Sequence, residues 1–265
     1  MNLNHELIPK DWIELQDMLF YDSYNSRINR IRSPYIYRGL SIFDYELKTS
    51  LIRLGGNILE IEFHLLRNFK KYSHQPGVSN NTDWEWLALA QHHGLPTRLL
   101  DWTYSPYVAL HFATAELDEF DKDGIIWALK YEALKDFLPD KLRKELNSVG
   151  SNSFTTEMLN KVYSNINELS QEQAEFIVAF ESPSLDTRIV NQFAIFTFMS
   201  HPGLLLDKWL EDKPELYFKI RIPKEMKWDI RDRLDQVNIN ERVLFPGFDG
   251  LSKWLKRHYS PKDSI

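Results

Sequence analysis

Residues 84–114, WEWLALAQHHGLPTRLLDWTYSPYVALHFAT, constrain this chain most, because an otherwise apolar run is punctuated at fixed places by residues that stop and start regular structure. Thr82 and Asp83 offer capping oxygens. Trp84, Leu87, Ala88 and Gln91 follow at the spacing of one helix face, and Gly94 and Pro96 end the helix. The apolar residues 99–103 are too few for another helix, so they read as a buried strand. Ser105 and Pro106 then suit the cap and first turn of a second helix, with Val108, Ala109, Phe112 and Ala113 on its apolar side. This leaves His92, His93, Arg98, Asp101, Thr103 and Ser105 near element ends, where a rigid frame presents functional groups. The same residues also fit a purely structural role: Arg98 and Asp101 as a buried ion pair, Thr103 and Ser105 as caps, the histidines as satisfied core groups.

The flanking segments extend this pattern. Residues 10–22 read as an amphipathic helix packing through Trp12, Leu15, Met18 and Leu19. Residues 35–39 read as a short aromatic strand. At its end Arg38 can meet a phosphate bidentately, and Gly39 permits a sharp turn or close approach of a ligand. Residues 58–72 show helical spacing with Ile58, Ile61, Leu65 and Phe69 facing inward, followed by a loop at residues 73–81. Residues 124–130 and 176–180 read as strands, and 182–187 as a turn. Residues 189–198 read as a core strand whose Gln192 either satisfies backbone groups or faces a ligand. Residues 216–222 alternate as a half-exposed strand, and 248–259 form a terminal helix with Trp254 and Leu255 inward.

At 265 residues the chain can bury a substantial core, and 43% hydrophobic content is too rich for disorder. No apolar run approaches ~18 residues, so no membrane contact is expected. The first residues lack the pattern of a secretory signal, and the absence of cysteine fits a reducing cytoplasm while excluding disulfides and thiolate sites. A formal charge of −6 argues against a general nucleic-acid coat. There is no glycine-rich phosphate loop, Gly-x-Ser-x-Gly elbow or His-Glu-x-x-His pair, and adjacent histidines do not face one metal in regular structure, so no metal site is expected. Strands late in the chain are not spaced as a repeating βαβ array, which predicts an α+β domain with a mixed sheet and surrounding helices.

The string QHHGLPTRLLDWTYSPYVALHFA at residues 91–113 resembles the signature of the FRG-domain family, whose Phe-Arg-Gly motif reads here Tyr37, Arg38, Gly39. The resemblance extends to TSLIRLG at 49–55, GIIWALK at 124–130, RIVNQFAIFTF at 188–198 and LFPGFDGLSKWLK at 244–256. It implies an FRG-like domain over residues 31–265, with residues 1–30 as a helical extension packed on the body.

The order of polar positions is also similar to the ADP-ribosyltransferase plan: an early arginine, hydroxyl residues at a strand-to-helix junction, and a late strand position beside NAD. That likeness implies a compact ADP-ribosyltransferase-like fold and an NAD-dependent transferase of the toxin or anti-phage defence kind. It implies an RNA or protein acceptor and an inhibitory antitoxin partner. Arg38 would hold phosphate or ribose oxygens together with Gly39, and Thr103 and Ser105 would fix the strand and the nicotinamide ribose. Tyr37 or Tyr107 would stack on nicotinamide, and His92 would serve as donor, acid or base. The late position is Gln192, which carries no charge, so Asp101, Glu181 or Glu241 would have to supply a carboxylate. The alternative reading is a noncatalytic nucleotide- or nucleic-acid-binding module.

Overall fold

A computed structural model describes residues 5–73, 82–183 and 187–262 of the chain. Residues 74–81 of the expected loop and 184–186 of the expected turn lie outside the described residues. Nine short strands occur among the described residues: β1 (Glu6–Leu7), β2 (Tyr24–Asn25), β3 (Arg30–Ile31), β4 (Ile36–Leu40), β5 (Leu100–Thr103), β6 (Gly124–Leu129), β7 (Ile177–Phe180), β8 (Ala194–Met199) and β9 (Tyr217–Ile222). Strands β2 and β3 form a small hairpin, and the other seven form one sheet in the order β1-β9-β6-β4-β5-β8-β7. Every pairing in that sheet is antiparallel except β1 with β9, so it is mixed. The fold is a single compact α+β body.

Burial explains which runs became strands. All six residues of β6 are buried because it lies centrally with both faces covered, hence its unbroken apolar sequence. Strand β9 lies nearer an edge and alternates buried with half-buried positions. One face of the sheet packs Ile36, Leu100, Trp102, Ile125 and Ile195 beneath Leu206, Trp209 and Leu210. The opposite face is covered in two parts. Helices Trp12–Leu19, Pro106–Ala113 and Lys227–Gln236 cover Tyr37, Ile126 and Ile220. At the β7–β8 end, helices including Asp83–His92, Asp140–Val149 and Thr156–Val162 bury Trp84, Leu146 and Met158 against Val178 and Phe198.

Three expectations need correction. Residues 189–198 are not one strand: helix Thr187–Asn191 is followed by a turn at Phe193, whose φ of 48° is left-handed, and only then by β8. A short apolar run does not distinguish helix from strand, and the exposure of Val190 and Phe193 shows that part of this run is not core. Helix Ile58–Tyr72 turns Glu62 and Leu66 fully inward, leaving Ile58, Ile61, Leu65 and Phe69 half-buried. The cause is Arg98, which pairs with Glu62 through Nε at 2.7 Å and through Nη2, not with Asp101. Helix Phe248–His258 buries Gly250 and Arg257 and leaves Leu255 exposed.

Arg257 belongs to a second buried charge cluster. It donates to Glu241 at 2.9 Å and to Asp235 at 2.7 and 2.8 Å, while Arg231 donates to the same Glu241 at 2.5 Å. Burial alone would raise the Glu241 carboxyl, but the Arg257 hydrogen bonds and the Arg231 charge outweigh it and hold it at about 2. Arg231 also meets Nδ1 of the fully buried His111 at 2.7 Å, where burial and the Arg231 charge push the imidazole far below its ordinary value and keep it neutral. The cluster ties the C-terminal helices to helix Pro106–Ala113.

Candidate ligand cavity at the β4–β5 gap

Strands β4 and β5 pair only through Tyr37 and Thr103. A continued antiparallel ladder would place Gly39 opposite Asp101, with a backbone bond to the Asp101 carbonyl. The Arg38 guanidinium takes that bond instead: Nη1 donates to Asp101 O at 2.5 Å and lies 3.9 Å from Asp101 Oδ2. The strands separate there, and a cavity of about 290 Å³ occupies the gap, where the two groups of helices covering this face meet.

Arg38 is the most constrained charge in the cavity. Its side chain is 16% exposed, and its buried Nε has no hydrogen-bond partner among the described residues. Burial lowers the guanidinium pKa, with Asp101 opposing and the charge of Arg53 adding to the effect. An arginine remains protonated under such conditions, so a cation lines this space. Among the described residues Asp101 is the one carboxylate of the cavity lining, 60% exposed and accepting from Gln91 Nε2 at 2.9 Å.

The other expected site residues divide clearly. Tyr37, Gly39, His92, Thr103 and Gln192 line the cavity with Arg38; Ser105 and Tyr107 are not among its lining. Thr103 Oγ1 donates to Gln192 O at 2.7 Å and accepts from Ser105 N at 3.0 Å, so its hydroxyl joins β5 to the turn before β8. Gln192 Nε2 donates to Leu244 O at 2.9 Å, and Asn191 Nδ2 to Val243 O at 2.7 Å, which fastens this wall to the C-terminal helices. Ser105 caps helix Pro106–Ala113, accepting from Val108 N at 3.4 Å. Tyr107 packs in the core beside helix Trp12–Leu19 and hydrogen-bonds Gln16. Of the other acids considered, Glu181 accepts from Ser153 at 2.9 Å and from Tyr104, and Glu241 is held by arginines, so neither reaches the cavity.

Gly39 lies inside β4 rather than at a turn. A Cβ there would stand 1.8 Å from Ala109 O and 2.7 Å from Ala113 N, so its bare Cα lets helix Pro106–Ala113 lie against the strand. The helix also brings Phe112 to the cavity. Gly39→Ala should therefore lower stability by about 1–3 kcal/mol or more, read as a fall in the thermal midpoint, because the obstacle is backbone that cannot rotate away. An unchanged midpoint would refute the close-approach role.

Sequence reasoning passed over Gln91, Phe112, Arg188 and Phe196 as lining groups. Arg188 and Phe196 lie within the late string RIVNQFAIFTF, but only the turn at Phe193 brings both to one wall.

Residues 33–122 match the family model described as FRG domain. The chain carries an FRG domain. The match contains Tyr37, Arg38, Gly39, Gln91, His92, Asp101, Trp102, Thr103 and Phe112, so the β4 and β5 sides of the cavity belong to the FRG domain. The wall from Arg188 to Phe196 lies beyond the matched residues, as do the similarities at 124–130 and 244–256. Comparison with curated proteins and with solved structures gave no match. No helix among the described residues is long and apolar enough to cross a membrane.

Proposed function

We propose that this chain is an NAD-dependent ADP-ribosyltransferase that binds the dinucleotide at the β4–β5 gap. The observation that carries the reading is Arg38: a largely buried guanidinium that lines a cavity with one carboxylate, Asp101, among the described residues. An anion-bearing ligand gives the guanidinium a charge-assisted partner. The apolar walls from Trp102, Phe112 and Phe196 suit a flat aromatic ring. In the transfer, the bond between nicotinamide and the ribose C1′ breaks and nicotinamide leaves with the bonding electrons. An acceptor nucleophile bonds C1′ and gives up its proton. Positive charge develops on the ribose, and Asp101, which lines the cavity, would oppose it. The uncharged Gln192 then serves as a wall residue, consistent with its bond to Leu244 O. An enzyme of this class would act as a toxin or antiviral effector on an RNA or protein acceptor, with an inhibitory partner restraining it.

Asp101→Asn keeps the shape of the side chain and removes its charge. It should lower NAD turnover by roughly 10²-fold while changing NAD affinity little, the pattern of an interaction made in the transition state. Glu181→Gln, outside the cavity, should leave turnover at the wild-type level. Liberated nicotinamide and mass analysis of RNA and protein acceptors provide the readout. Wild-type turnover by Asp101→Asn would remove its assigned role.

A second reading, a noncatalytic nucleotide-binding module, draws support from the engagement of Thr103, Gln192 and Asp101 with protein groups. Under that reading NAD binds and is recovered intact.

A further inference from the structure

A second cavity, of about 490 Å³, adjoins the first and shares Arg38, Gly39 and Phe112 with it. Its remaining lining includes Ser41, Tyr45, Glu46, Arg53 and Glu116. Arg53 lies in the last turn of the short helix Ser50–Leu54, whose Leu51 is buried and whose Thr49 cap accepts from Ile52 N at 3.2 Å, so the arginine projects from an anchored element. Among the described residues no carboxylate lies within ion-pair distance of Arg53. Arg38 and Arg53 thus line the second cavity together, Arg53 without an acidic partner among the described residues and Arg38 with only a long contact to Asp101. At Arg38 burial first, and the Arg53 charge in addition, disfavour the protonated form, against Asp101. Like charges lining one cavity are relieved when an anion with several oxygens lies between them.

We infer that the two cavities form one bipartite site for a dinucleotide, in which Arg38 and Arg53 grip the diphosphate and the second cavity receives the distal nucleoside. This rests on the NAD reading and assigns its adenosine half. The volumes suit it: neither cavity alone is large for a dinucleotide, and both together fall within the range of sites for ligands of that size. The remaining charges of the second cavity are also informative. The lining also carries Asp44, Glu46 and Glu116, with Lys48 paired to Glu46 at 2.5 Å. With Glu46 neutralised by Lys48, the carboxylates of Asp44 and Glu116 accept from ribose hydroxyls and repel a further phosphate, so the site takes an unphosphorylated ribose and discriminates against NADP.

The experiment is calorimetric titration of wild type, Arg53→Ala and Arg38→Ala with NAD, NADP, ADP-ribose and nicotinamide mononucleotide. Nicotinamide release from NAD is followed in parallel. Arg53 is exposed, and its replacement leaves Leu51 in place, so the variant should fold; a thermal scan checks this. Arg53→Ala should weaken NAD and ADP-ribose about tenfold or more and leave nicotinamide mononucleotide nearly unchanged, whereas Arg38→Ala should weaken all three. Wild type should bind NAD more tightly than NADP by a similar factor.

If Arg53→Ala binds NAD and ADP-ribose as tightly as wild type, the bipartite site is overturned, while wild-type nicotinamide release keeps the transferase reading intact. If ADP-ribose binding depends on both arginines but no nicotinamide is released, the bipartite site stands and the transferase reading falls. Failure of wild type to bind any of these probes overturns both.

Discussion

Arg38→Ala is expected to abolish NAD binding and turnover while leaving the folded structure intact. The side chain spans the gap between β4 and β5 and contributes one hydrogen bond to Asp101 O, a neutral acceptor. Its loss should cost the fold on the order of 1 kcal/mol, partly offset because a buried cation disappears with it. The ligand loses a charge-assisted contact that strengthens as the nicotinamide bond breaks. That should lower kcat/KM by roughly 10²–10³-fold or more. Arg38→Lys separates charge from geometry: a lysine keeps the positive charge but cannot present the planar fork, so it should recover only part of the affinity. Calorimetry with NAD, nicotinamide release and a thermal scan provide the three readings. Wild-type turnover by a folded Arg38→Ala protein would remove the cavity from the reaction.

Glu62→Ala should have the largest effect on stability. Arg98 is 1% exposed, and its guanidinium is satisfied by Glu62, by Ser200 O at 3.3 Å and by Ser170 Oγ at 2.9 Å. Removing the carboxylate leaves a cation in the interior with neutral acceptors only, a loss of about 3–5 kcal/mol. In a chain of this length the thermal midpoint should fall by about 10 °C. The double replacement Glu62→Leu with Arg98→Met should restore most of that loss, because the penalty comes from the unpaired charge rather than from the absence of the pair. A double variant as unstable as Glu62→Ala would show instead that the guanidinium's bonds to Ser170 and Ser200 hold the elements together.

The sequence exposes the frame of the site more readily than its walls. The stretch 84–114 was legible because capping residues, glycine and proline mark each boundary, and the helix, strand and helix follow those marks: Asp83–His92, β5 and Pro106–Ala113. The α+β class followed from strand spacing. The late wall was harder, because Ile189 and Phe196 look alike in an apolar run yet belong to a helix and a strand separated by a left-handed turn at Phe193. Partner choice was also hidden. Arg98 lies three residues from Asp101 in sequence, yet pairs across the fold with Glu62, and only the rotation of helix Ile58–Tyr72 reveals it. Gly39 was expected at a turn or beneath a ligand, but its constraint comes from the helix lying against it.

The single rung between β4 and β5 has a thermodynamic consequence. Four strands lie on one side of that seam and three on the other, and on the cavity side two different groups of helices cover them. A molecule seated in the gap touches both halves, so it binds the native chain and loses its site when the halves part. Occupancy is then linked to unfolding by mass action: a ligand present at 100 times its dissociation constant should add about 2.7 kcal/mol to stability. The melting temperature of the unmodified protein thus becomes an assay for whatever fills the seam, whether that molecule is consumed or merely held.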